Sequence, residues 1–98
     1  MQDDPALLAA KLNQETARLD WASLQRFFAR GQTIRVDPQL DLVAVATAFA
    51  TDQQEQVAAW MREGTVAAVT DAQAAQWHQA EAALWTVVVA PWVLVQPD

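Results

Sequence analysis

Ninety-eight residues is one domain's length, and 53% of them are apolar, although 21 of these are Ala. Eleven Val, nine Leu, five Trp, three Phe, two Met and one Ile remain, enough for one core and too few for two. Twelve acidic against six basic residues give a net charge of −6, with one His, two Gly and no Cys; this excludes disulfide scaffolds, thiol catalysis, Cys- or His-rich zinc sites and most Gly-rich phosphate loops, and it opposes nucleic-acid binding, whose affinity comes from neutralising phosphates.

The first helix is expected from Asp4-Pro5, where Asp caps free N–H groups and Pro fits the first turn. Leu8, Leu12 and Leu19 recur at helical spacing and predict that it runs through PALLAAKLNQETARL. Asp20 caps a second helix, WASLQRFFARG, with Leu24, Phe27 and Phe28 as its buried stripe and Gly31 at its end. TIRV alternates as a short strand, and Asp37-Pro38 stops it and starts a third helix carrying Leu40, Val43, Val45 and Phe49. Asp52 opens a fourth helix at capping-box distance from Glu55, with Val57, Trp60 and Met61 on its apolar face and Gly64 closing it.

TVAAV reads as a second strand, and Thr70 or Asp71 caps a fifth helix. No Gly, Pro or Asn interrupts the chain between Gln73 and Ala90, so the fifth helix is expected to continue to about Val87–Val89, with WVLVQ as a third strand. The β-branched run TVVV supports a competing reading, one strand from Thr86 to Gln96 bent at Pro91. One local plan occurs twice, about 33 residues apart: a helix with bulky residues three and four before a Gly (Phe27 and Phe28 before Gly31, Trp60 and Met61 before Gly64) leads to a short strand, which suggests a pseudo-symmetric α+β core, a chance match being the alternative. The expected fold is α+β: a single domain, 1–98, with about five helices packed on a small sheet of strands near 33–36, 65–69 and 92–96, and residues 1–4 frayed.

The charges divide unevenly. Residues 1–36 carry five basic and four acidic groups, and residues 37–98 carry Arg62 against eight acidic groups. Arg26, Arg30 and Arg35 are the candidate anion- or partner-binding residues, since the first two lie four apart on one helix; a solvated face explains them more simply. His78 and Glu81 share a helical face, but no nucleophile and orienting group accompany them, so His78 reads as structural or solvent-exposed. Asp37 and Asp41, four apart, have the donors for a hard cation, yet capping accounts for them. No catalytic residue, metal site or cofactor is expected.

Five Trp in this length is the unusual feature, and Trp brings both core volume and interface energy. LWTVVVAPWVLVQ is apolar on every face, so it must be central to the core, part of a subunit contact, or both. Trp85, Trp92 and Leu94 are the candidate interface residues.

The N-terminus, Met-Gln-Asp-Asp-Pro, carries acid where a signal peptide carries base. The longest uncharged run, Ala82 to Pro97, is 16 residues and broken by Pro91, against the ~20 a bilayer span needs. A cytoplasmic protein without membrane or nucleic-acid partners is expected.

KLNQETARLDW, LQRFFARG, VDPQLDLVAVA and above all LWTVVVAPWVLVQ resemble a bacterial family of small proteins, domain of unknown function 2288, over about residues 8–96. The resemblance implies a stand-alone single-domain bacterial protein. It carries no activity, ligand or catalytic residue onto any position of this chain. The expected function is therefore a non-catalytic protein-interaction or regulatory module, a homodimer first and an unidentified protein partner second. The alternative is a small-molecule or anion binder, enzymes included, using Arg26, Arg30 and a Trp.

Overall fold

The computed structural model describes residues 4–98, which form five helices and a five-stranded mixed sheet, an α+β arrangement. In chain order these are α1 (Pro5–Glu15), β1 (Ala17–Asp20), α2 (Trp21–Ala29), β2 (Thr33–Val36), α3 (Leu42–Ala50), α4 (Gln54–Glu63), β3 (Val66–Ala68), α5 (Asp71–Ala80), β4 (Ala83–Val89) and β5 (Trp92–Gln96). Of the expected frayed segment 1–4, residues 1–3 lie outside the described residues; Asp4 is extended and its carboxylate accepts from the Ala6 N–H, capping α1.

The sheet order is β1-β4-β5-β2-β3, with β2 parallel to β5 and every other pair antiparallel. Strands β2, β3 and β5 are the three expected from sequence. Strands β1 and β4 correct it. The first helix does not run to Leu19: it ends at Glu15, and Ala17–Asp20 pairs with Ala83–Thr86, which offers an edge where the helix would offer none. The fifth helix does not reach Val87: it ends at Ala80, Glu81 takes left-handed geometry at φ 50°, and Ala83 onward enters the sheet. The competing single bent strand is also not formed. Residues 83–89 and 92–96 are separate strands, folded back on one another across Ala90–Pro91, with Val87 opposite Leu94.

Alternation along the strands feeds two cores. On one face Ile34, Val36, Val66, Val87 and Leu94 meet Leu12 of α1 and Leu42, Val45 and Ala46 of α3, with Trp60 of α4 packed alongside. On the other face Leu84, Val93 and Val95 meet Trp21 and Leu24 of α2 and Ala74 and Trp77 of α5. The twice-used helix–Gly–strand plan holds locally: Gly31 and Gly64 sit at φ 72° and 80°. Its two strands, β2 and β3, are antiparallel neighbours, which a two-fold axis can relate only by keeping each face, yet its two helices, α2 and α4, lie on opposite faces, so the plan does not extend to a symmetric core.

Two helix starts also differ. Asp37 does not begin α3: its carboxylate accepts from Gln39 N–H in a turn, and Asp41 caps the helix through Val43 and Ala44. Asp52 does not cap α4, because its own φ of 58° turns the chain there and Gln53 takes the cap position without a side-chain bond. The capping box forms instead at α5, between Thr70 and Gln73.

Candidate functional site

The end of the sheet where β4 turns into β5 carries an open apolar groove. Helix α3 ends there, Asp52 and Gln53 reverse the chain, and α4 sets out on the same face. Gln54, Val57, Ala58 and Met61 fall at positions i, i+3, i+4 and i+7 and so form one side of α4. With Ala48 and Phe49 of α3, Ile34 of β2 and Trp92 of β5 they enclose about 400 Å³. Met61 is 46% exposed and Trp92 37%, large apolar side chains that the chain's own elements leave open. The polar members are Asp52, Gln53 and Gln54 at the rim; the Gln54 amide donates to both Asp52 carboxylate oxygens at 3.3 Å.

A second cleft of about 610 Å³ lies at the other end, where α2 begins and α5 finishes. Asp20, Trp21, Trp77, His78 and Glu81 line it. Gln25 Nε2 donates to His78 Nδ1 at 3.0 Å, so the exposed imidazole is held by an amide and faces no nucleophile in this geometry. Trp21 is buried and its indole N–H has no hydrogen-bond partner. Among the described residues no three His, Asp or Glu side chains converge as metal ligands.

The candidate residues from sequence fall in different places. Arg26 is exposed on α2 with its guanidinium 4.9 Å from the Phe27 ring, and Arg30 is exposed at the helix C-cap. Arg35 is half-buried in β2, in register with Ala67 and Val95, and so stands in the sheet rather than beside the helical arginines. None of the three lines the groove or the second cleft.

Leu94 is fully buried between β4 and β2 and is corrected from interface to core: its side chain reaches no surface. Trp85 is 40% exposed, but its ring is occupied within the chain. Arg18 lies 5.3 Å from the ring centroid and Arg18 Nη1 meets Asp98 Oδ1 at 2.8 Å. Hydrogen bonding to Arg18 holds the Asp98 carboxyl below its ordinary range, with direct attraction to Arg18 and the Trp85 indole adding to it and desolvation opposing. Trp85 and Trp92 share a sheet face, opposite Gln96 and Val89 respectively, with the buried Val87–Leu94 pair between them.

Of the three interface candidates, Trp92 alone lines the groove. Phe49, Val57, Met61 and Asp52 were missed as site residues, being read as helix faces and a cap. Trp92 was the one signal that led there.

No helix of the described residues is long and apolar enough to cross a membrane. No curated protein matches the chain. The NMR solution structure of PA1075 from Pseudomonas aeruginosa is 47% identical, with a TM-score of 0.83, the match covering 100% of this chain and 91% of that one. A family model described as "Protein of unknown function (DUF2288)" matches residues 7–97, and on that match the chain belongs to this family.

Proposed function

We propose that the chain is a non-catalytic protein-interaction module that works as a homodimer, with the groove between α3, α4 and β5 as its docking surface. One observation carries this reading: Trp92 and Met61 stand open beside Phe49 and Val57 in a groove whose polar side chains among the described residues are Asp52, Gln53 and Gln54. Large apolar side chains left together at a surface mark places where another surface docks. Trp and Met are enriched in interface centres, where they exclude water and adapt in shape. The imidazole of the second cleft, His78, is exposed and is held by the Gln25 amide, which fits a structural role for it.

A small-molecule binder is the second reading. The groove volume of about 400 Å³ falls in the range of ligand sites, and it is the observation that favours this alternative.

Sedimentation equilibrium separates the two. The interaction reading expects a species of twice 10.8 kDa at micromolar concentration, and expects Met61→Asp to shift it towards monomer while the melting curve stays cooperative. A 10.8 kDa particle at every concentration would remove the homodimer. Tryptophan fluorescence against a metabolite panel reads the alternative, since Trp92 lines the groove.

A further inference from the structure

We infer that the occupant of the groove is the same end of a second copy, related by a two-fold axis that lies in the plane of the sheet and crosses its strands, so that the Arg26/Arg30 face of each copy meets the Asp52/Glu55 rim of the other. This rests on the reading of the chain as a self-associating module and adds the orientation and the charge code.

The topology puts opposite charges on the two faces of one end. The Gln32 carbonyl accepts the Val93 N–H at 2.9 Å, so α2 finishes beside the groove's β5 strand but on the opposite sheet face. Arg26 and Arg30 are carried there, with Asp71 at the start of α5 as the opposing acid on that face. On the groove face the same end carries Asp52 and Glu55 around the start of α4, while the one basic residue of α4, Arg62, lies in its last turn, where the chain leads to Val66 opposite Val36 at the other end of β2. Neither arginine has an acidic partner: Arg18–Asp98 is the one ion pair among the described residues.

Symmetry then selects the arrangement. In a two-fold contact each patch appears twice, once from each copy. An axis perpendicular to the sheet would keep faces together and set acid against acid. An in-plane axis across the strands exchanges the faces, so each acidic rim receives the other copy's arginines, twice over. Trp92, the first residue of β5, stands exposed at this end and supplies the apolar contact, while the charges form the rim that fixes orientation. A standard interface takes roughly 800 Å² per partner, about an eighth of this chain's 6073 Å², so one end of the molecule is enough.

The test is charge exchange, read by sedimentation equilibrium at low salt with circular dichroism melts as the folding control. Variant one is Arg26→Asp with Arg30→Asp. Variant two is Asp52→Asn with Glu55→Arg, Asn being chosen because it tolerates the φ of 58°. Each variant alone should dimerise at least about tenfold more weakly than wild type, and an equimolar mixture should recover a heterodimer, because both boundaries are then complementary. A wild-type dimer that neither variant weakens, or a mixture no tighter than its components, overturns the orientation and leaves self-association standing. A monomeric wild type removes both.

Discussion

The Trp21 and Trp77 rings meet edge to face, with centroids 5.1 Å apart at 63°, and this pair joins the first turn of α2 to the last turns of α5. Phe28 also packs on Trp21, with ring centroids 5.7 Å apart. The two helices are therefore clamped over Leu84, Val93 and Val95 by aromatic surface, and the core on that face depends on it. Trp21→Ala should cost about 3–5 kcal/mol. Trp92→Ala removes a partly solvated ring and should cost less than half as much in the same urea titration. Equal losses would contradict the burial difference between 1% and 37% exposed.

Gly64 ends α4 at φ 80° and Gly31 follows α2 at φ 72°, and a Cβ at either would meet no heavy atom within 4 Å. The cost of Gly→Ala there is backbone strain alone, about 1–2 kcal/mol at each site. Gly64→Asn should recover part of it, since Asn enters left-handed geometry more readily. Chemical denaturation of Gly64→Ala and Gly64→Asn compares them, and indistinguishable midpoints for both variants and wild type would count against the strain account.

Thr70 and Asp20 both stand at helix N-caps, but Thr70 accepts the Gln73 N–H at 3.1 Å while Asp20 makes no side-chain cap bond. Thr70→Ala should therefore destabilise by about 1 kcal/mol and Asp20→Ala by no more than a few tenths. Thermal melts of the two variants side by side check the order, and the reverse order would contradict the capping geometry.

Asp98 has a depressed carboxyl because Arg18 bonds it, and Arg18 is correspondingly raised. For a carboxylate whose folded value lies below its unfolded one, the stabilising contribution is present above the unfolded value and is lost as pH falls through the folded one. Both side chains are solvent-exposed, so the effect on stability is small. The clearer readout is a carbon-detected NMR titration of Asp98: its midpoint should lie below the ordinary Asp range in wild type and rise towards it in Arg18→Ala. No movement between the two would mean the ion pair is not populated in solution.

Chain-local chemistry was readable from the residues in order. Asp4, Thr70, Gly31 and Gly64 act on backbone groups within four positions of themselves, and helix ends at those places follow from cap geometry and left-handed φ. The strands TIRV and WVLVQ carry their β-branched alternation on their own. Leu8, Leu12 and Leu19 keep helical spacing, but the sheet claims Ala17–Asp20 as a strand. Ala17 pairs with Thr86, and a strand edge that distant in sequence leaves no mark in an eleven-residue window. Thr86–Val89 was ambiguous for the same reason: β1 on one side and β5 on the other decide it, and Glu81 breaks α5 without a Gly or Pro to announce it.

Composition, charge asymmetry and cap chemistry belong to the residues themselves, so the class of fold, the excluded chemistries and an excess of interface-type aromatics were determined before any folding. Which Trp reaches solvent was not. Trp21 and Trp92 are the same side chain, one sealed between two helices and the other open beside Met61, and their difference arises from elements that meet only when β2, β4 and β5 come together. The groove joins residues from position 34 to position 92, and the opposite charges at its end depend on which sheet face each helix covers. Face and neighbour are properties of strand pairing across the chain, and local spacing carries no information about them.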